Sequence, residues 1–225
     1  MTSGERPALT RSVQQAVHDT ARREGPTAAL SALYEAIGRD TPVRGPGGHA
    51  LVPEGVRHDA ADTAVLPGID GLGLLPLRGP TAPDAPAREP GPEGGPIGPA
   101  AWAEALTWLR LGLSVKILDE ALGYLRDRVT GGSPLLTRQL IKGALADAVA
   151  LQLQVRSVLD AHAPGDVPRP LSAGLNAMVT QADRMLLPLL GASGFTTEGP
   201  GRVAHASELL VDTYFTIAQE GTDLC

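Results

Sequence analysis

Leu125-Arg-Asp-Arg-Val-Thr-Gly-Gly-Ser-Pro-Leu135 interrupts the longest helix-spaced stretch of the chain, and its reading sets the architecture. Before it, residues 100 to 129 hold Trp108, Leu111, Val115, Leu118, Leu122 and Leu125 at steps of three and four, which predicts one long helix with a broad apolar face. Gly131-Gly132 breaks that helix. Ser133 is a capping residue, and Pro134 suits the first turn of a second helix running to about Asp160, with Leu140, Leu145, Val149, Leu153 and Val158 as its apolar positions. Residues 163 to 170 are turn-rich. A third helix is expected from about Ser172 to Leu187 and a fourth from about Ala204 to Ile217. Four helices on short loops predict an all-α, four-helix up-down bundle over residues 100 to 225.

Upstream, residues 8 to 24 carry helical spacing, and Pro26 opens a second run in which Leu30, Leu33, Tyr34 and Ile37 share one face. Gly38-Arg39-Asp40 ends it, so residues 1 to 40 form a small helical segment. Between 41 and 99 Pro, Gly and Asp recur every few residues around short apolar pieces such as Ala50-Leu-Val52 and Leu72-Gly-Leu-Leu75. Residues 80 to 99 are almost wholly Pro, Gly, Ala and charged, the composition of an extended linker, with a domain boundary near 98.

Hydrophobic residues make up 43% of the chain but aromatics only 3%, so alanine and leucine must supply the packing, which favours helices over strands. The formal net charge is -6, with Arg and Lys dispersed and no aromatic-basic interleaving, which argues against a nucleic-acid partner. The one cysteine, Cys225, precludes an intrachain disulfide and points to a reducing, cytoplasmic setting. Apolar runs such as Met185-Leu-Leu-Pro-Leu-Leu190 fall short of the roughly 20 residues a bilayer needs, and Met1-Thr-Ser-Gly-Glu-Arg6 has no secretory apolar stretch. His18, His49, His58, His162 and His205 show no ligand spacing, so no metal site is expected. No dinucleotide-fold glycine pattern, phosphate-loop motif or nucleophile motif is present.

Arg128, Gly132 and Pro134, with Gln139 and Leu145-Ala-Asp147 following without a gap, and Gln219-Glu-Gly-Thr222 near the end, together resemble the carboxyl-terminal helical domain of acyl-CoA dehydrogenases. The resemblance covers about residues 100 to 223 and leaves out the middle β domain and most of the first helical domain, which help to wall the flavin and acyl pocket in that family. It implies an oxidoreductase that introduces an α,β double bond into an acyl thioester with FAD. Glu220 stands where the family keeps its catalytic base. Arg128 would bind the FAD diphosphate, Gln139 would lie near the same dinucleotide, and Gly191 and Gly194 resemble the glycine-rich segment close to the cofactor. Thr222, beside Glu220, goes with the cofactor by the same resemblance. The substrate would be an acyl thioester of CoA or a carrier protein, and the missing walls would come from a homo-oligomer or a larger acyl-CoA dehydrogenase-like subunit. Three departures stand out: Gly131 occupies the aromatic position of the turn, Pro188 one that is usually polar, and Leu190 one that is often histidine. Two alternatives are a noncatalytic helical subunit that stabilises a full-length relative, and a flavin-independent enzyme reusing the cavity.

Overall fold

In the computed structural model, which describes residues 9–59, 72–78, 97–196 and 199–215, every residue from Trp102 to Ser114 is buried. These residues belong to α3 (Pro99–Arg126), which has no solvent face over that length. A helix buried all round is the centre of a domain rather than one wall of a bundle. What surrounds it begins with α1 (Arg11–Glu24) and α2 (Pro26–Ile37). The Thr10 side chain caps α1 by accepting from the Val13 N–H, and Gly25, at φ 99°, separates the two helices in a conformation that glycine adopts without strain. Leu30, Leu33, Tyr34 and Ile37 of α2 are all buried.

α1 meets α3 at Gly112. A Cβ there would lie 2.3 Å from the His18 carbonyl oxygen and 2.8 Å from the Ala21 Cβ, so the close approach depends on a missing side chain. Gly112→Ala is expected to destabilise the protein by about 1–3 kcal/mol through overpacking. Urea unfolding checks this, and an unchanged midpoint would show that the two helices do not pack so tightly.

The region expected to be irregular contributes two strands, β1 (Ala50–Pro53) and β2 (Leu74–Leu77), paired antiparallel with Ala50 opposite Leu77 and Val52 opposite Leu75. This hairpin is fixed by two tyrosines. The Tyr34 hydroxyl accepts from the Val43 N–H at 3.0 Å. The Tyr214 hydroxyl accepts from the Leu51 N–H at 3.1 Å and lies within donor reach of the Leu51 and Val43 carbonyls. Both rings meet Trp102 edge-on, at 5.4 and 5.7 Å between centroids, an arrangement favoured by aromatic quadrupoles. One buried cluster thus joins α1, α2, the hairpin, the first half of α3 and Tyr214.

The second half of α3 packs with three further helices: α4 (Gln139–Ala161), α5 (Arg169–Leu186) and α6 (Pro200–Tyr214). Trp108 and Leu111 pack with Val155, Leu159, Leu175 and Val179, while Ile117, Ala121 and Leu125 pack with Leu145, Ala148, Ala182 and Leu186. A 3-10 segment, Leu187–Phe195, connects α5 towards α6.

The four-helix bundle is therefore corrected. Among the described residues the chain is a mostly helical domain of six helices with two small antiparallel sheets. The physical reason lies in α3: its polar residues between 102 and 114 are buried and paired, so an apparently amphipathic helix is covered on every side. The second sheet, β3 (Val129–Thr130) with β4 (Ser133–Pro134), corrects the start of α4. Gly131 and Gly132 have φ of 61° and 79°, the left-handed pair that closes a two-residue hairpin, so Ser133 and Pro134 are spent on a strand instead of a helix cap. A 3-10 turn at Leu135–Thr137 follows, and Arg138 is the residue that precedes α4. Among the described residues no helix is long and apolar enough to cross a membrane.

Candidate functional site

Tyr124 sits in the last two turns of α3, and Arg128 follows it by four residues just past the helix end. The Arg128 guanidinium carbon lies 3.8 Å from the Tyr124 ring centroid, a stacked cation–π contact. Stacking engages the face of the guanidinium. All of its N–H donors point outward in the plane, where an oxyanion could receive two at once. Gly191, at φ 55° and ψ -144°, kinks the 3-10 segment beside the same tyrosine, and a Cβ on it would lie 3.3 Å from the Tyr124 hydroxyl. Arg128 and Gly191 thus converge on Tyr124, which sequence reading did not single out.

Gln139 is exposed at the first position of α4. It is tied to the same end of the molecule because the Leu135 N–H donates to the Arg128 carbonyl at 2.8 Å and Arg138 Nη2 donates to the Thr130 carbonyl at 2.7 Å. Gly194 is buried, and a Cβ on it would lie 3.0 Å from both the Leu187 carbonyl oxygen and the Leu190 Cβ. Its own turn therefore accounts for the glycine. Glu220 and Thr222 lie outside the described residues.

A second polar assembly lies inside the core. Glu104, Thr107, Arg110 and Ser114 recur along α3 and are all buried. Glu104 Oε1 accepts from Gln14 Nε2 at 2.9 Å, and Oε2 accepts from the Gly165 N–H at 2.7 Å, linking α1 to the α4–α5 loop. Arg110 donates from Nε to Ser207 Oγ, from Nη1 to both the carbonyl and the side-chain oxygen of Asn176, and from Nη2 to Thr180 Oγ1, at 2.7–3.0 Å. All four acceptors are neutral. Burial pulls the Arg110 pKa down to about 10, with the charge of Asp183 the largest opposing influence. The cation is thus still charged at neutral pH.

Asp183, on α5, is 2% exposed. Neither of its carboxylate oxygens has a hydrogen-bond partner among the described residues. Burial raises its pKa to about 7; Ser114 and Arg110 temper that rise, and Glu208 adds to it. Ser114 Oγ accepts from Gln152 Nε2 at 2.9 Å, which leaves its O–H proton to temper the Asp183 carboxylate without completing a hydrogen bond of ordinary geometry. The signal that could have revealed this assembly is the polar spacing 104, 107, 110, 114 within an otherwise apolar run.

Among the described residues no group of three or more His, Cys, Asp or Glu could hold a metal ion. No protein-family model matches the sequence, and no curated protein matches it. The two assemblies differ in what they offer: the core network is closed and spends its donors on the protein, whereas the Arg128 end presents charge to solvent.

Proposed function

We propose that the chain is an acyl-CoA dehydrogenase-like oxidoreductase subunit that holds the diphosphate end of FAD at the Arg128 hairpin and acts on an acyl thioester in an oligomer. The observation that carries this reading is the stacked Arg128 guanidinium, fixed by Tyr124 beside the glycine kink at Gly191. The fit of the dinucleotide to these residues is good at the diphosphate, where Arg128 supplies in-plane donors and Gln139 a neighbouring amide. It lacks an aromatic partner at position 131, where glycine stands at φ 61°.

FAD supplies the hydride acceptor for such a reaction. Glu220, by its resemblance to the family's base, removes the proton α to the thioester carbonyl, and its own backbone N–H donates to that carbonyl as enolate charge develops. A carboxylate performs this step only when water is excluded and its pKa rises. The parts of the pocket this chain does not supply are assigned to a second copy or a larger relative.

Arg128→Ala is expected to weaken FAD binding about tenfold or more, the value of a charge-assisted pair of hydrogen bonds. Glu220→Gln should abolish turnover of acyl thioesters while FAD remains bound. Turnover of the Gln variant at the wild-type rate would overturn the assignment of the base.

One observation favours a second reading, a noncatalytic helical subunit. α4 turns Leu140 (89% exposed) and Leu153 (58% exposed) to solvent together with Ala146 and Ala150. Leu153 shares a face with Ala146 and Ala150, whereas Leu140 points about 140° away from Leu153 around the helix, so the candidate packing seam is the Ala146, Ala150 and Leu153 face. If that seam is the protein's purpose, Leu153→Glu disrupts assembly, and Arg128→Ala leaves it intact.

A further inference from the structure

We propose that Arg138 is a second anion-binding guanidinium, which with Arg128 grips a diphosphate group at the β3–β4 hairpin. The starting point is charge. Residues 126 to 142 hold four of the chain's 19 Lys and Arg (Arg126, Arg128, Arg138 and Lys142) and one of its 25 Asp and Glu, Asp127. A chain of net charge -6 whose cations are otherwise dispersed therefore carries one local cationic patch at the end of α3, the hairpin and the start of α4. All four cations are exposed, and none forms an ion pair with another described residue. A local concentration of exposed cations raises the potential there and draws polyanions to it.

Two of the four are held in place rather than free to sweep through solvent. Arg128 lies flat on Tyr124. Arg138 is pinned at one corner, Nη2 donating to the Thr130 carbonyl, which leaves its Nε and Nη1 hydrogens without an acceptor among the described residues. The hairpin carrying both contacts is closed by Gly131 and Gly132, and a Cβ on Gly131 would lie 3.5 Å from Arg138 Nη2. The guanidinium thus covers the side of the turn from which a residue-131 side chain would project. Pre-positioned guanidiniums lose less freedom on binding than extended ones, and their forks match phosphate oxygens. The chemistry recognised is a diphosphate, and it can come from FAD or from CoA. The choice of FAD rests on the reading above, whereas the diphosphate site does not.

The test is calorimetric titration of the full chain with FAD, CoA, ADP and inorganic pyrophosphate. Wild type is compared with Arg128→Ala, Arg138→Ala and Arg138→Gln; the last keeps a donor for the Thr130 carbonyl without the charge, should the alanine variant fail to fold. Loss of Arg138 is expected to weaken the diphosphate ligands about tenfold and to flatten the dependence of binding on salt. Tighter binding of FAD than of CoA assigns the site to the flavin, and the reverse assigns it to the thioester carrier. FAD affinity unchanged in both Arg138 variants overturns the inference and leaves the flavoprotein reading standing. ADP or pyrophosphate binding that requires Arg138, with no FAD binding, sustains the inference and overturns that reading. If none of the four ligands binds wild type, both fall.

Discussion

Arg110→Ala is expected to remove about 3–5 kcal/mol of stability, a large part of the total for a domain of this size. The loss does not come from the charge alone. Deleting the guanidinium leaves the Asn176 side-chain oxygen and the Ser207 and Thr180 hydroxyls without their donor and opens a space among α3, α5 and α6 that packing no longer fills. It also leaves Asp183 without the positive charge that tempers its burial. Urea unfolding with a common slope for the two proteins measures the difference. A loss below about 1 kcal/mol would mean that Arg110 does not hold α3, α5 and α6 together as the hydrogen bonds indicate.

Asp183→Asn should do the opposite at neutral pH. The carboxyl pKa is raised from 3.8 to about 7 in the folded protein, so the folded state binds more protons than the unfolded state between those values. Stability contributed by this group is therefore greatest below pH 4, falls as pH rises from about 4 to 7, and is level above 7. At about 1.4 kcal/mol per pH unit the full span is roughly 4 kcal/mol. The Asn variant removes the ionisation, so it should be more stable than wild type at pH 7.5 by roughly 2–4 kcal/mol. The gain should vanish near pH 4. Unfolding free energies of both proteins across pH 4 to 8 give the difference curve, which cancels the other titrating groups. A difference that stays flat would show that Asp183 finds hydrogen-bond partners that offset its burial.

These two residues also mark where sequence reading stopped. Helical periodicity placed α1, α2 and the bodies of α3 to α6, because leucines and alanines at steps of three and four are visible in any window. It did not show that α3 is central. Glu104, Thr107, Arg110 and Ser114 drew no reading from their spacing, and only their partners on α1, α4, α5 and α6 reveal them as buried. The β1–β2 pairing joins segments separated by 20 residues, eight of them Pro, Gly or Asp, and no local pattern encodes such a pairing. Ser133-Pro134 was ambiguous for a different reason: the same residues suit a helix start and a strand after a two-glycine turn, and the positive φ of both glycines decides it.

The candidate site was partly legible in the same sense. Arg128, Gln139 and Gly191 were named from the residues of a family turn and a glycine segment, and the fold gathers them at one end of α3. Tyr124 and Arg138 were not named, because each acts through a contact rather than a motif: a ring under Arg128, and a guanidinium beside Gly131. Gly194 serves the packing of its own turn.

The most direct test of the central claim is gel filtration of the natively purified chain after addition of FAD, monitored by visible absorbance and light scattering. The account predicts flavin absorbance travelling with an oligomer of the protein and reduced on Arg128→Ala. A folded, colourless protein from which all FAD separates would contradict it.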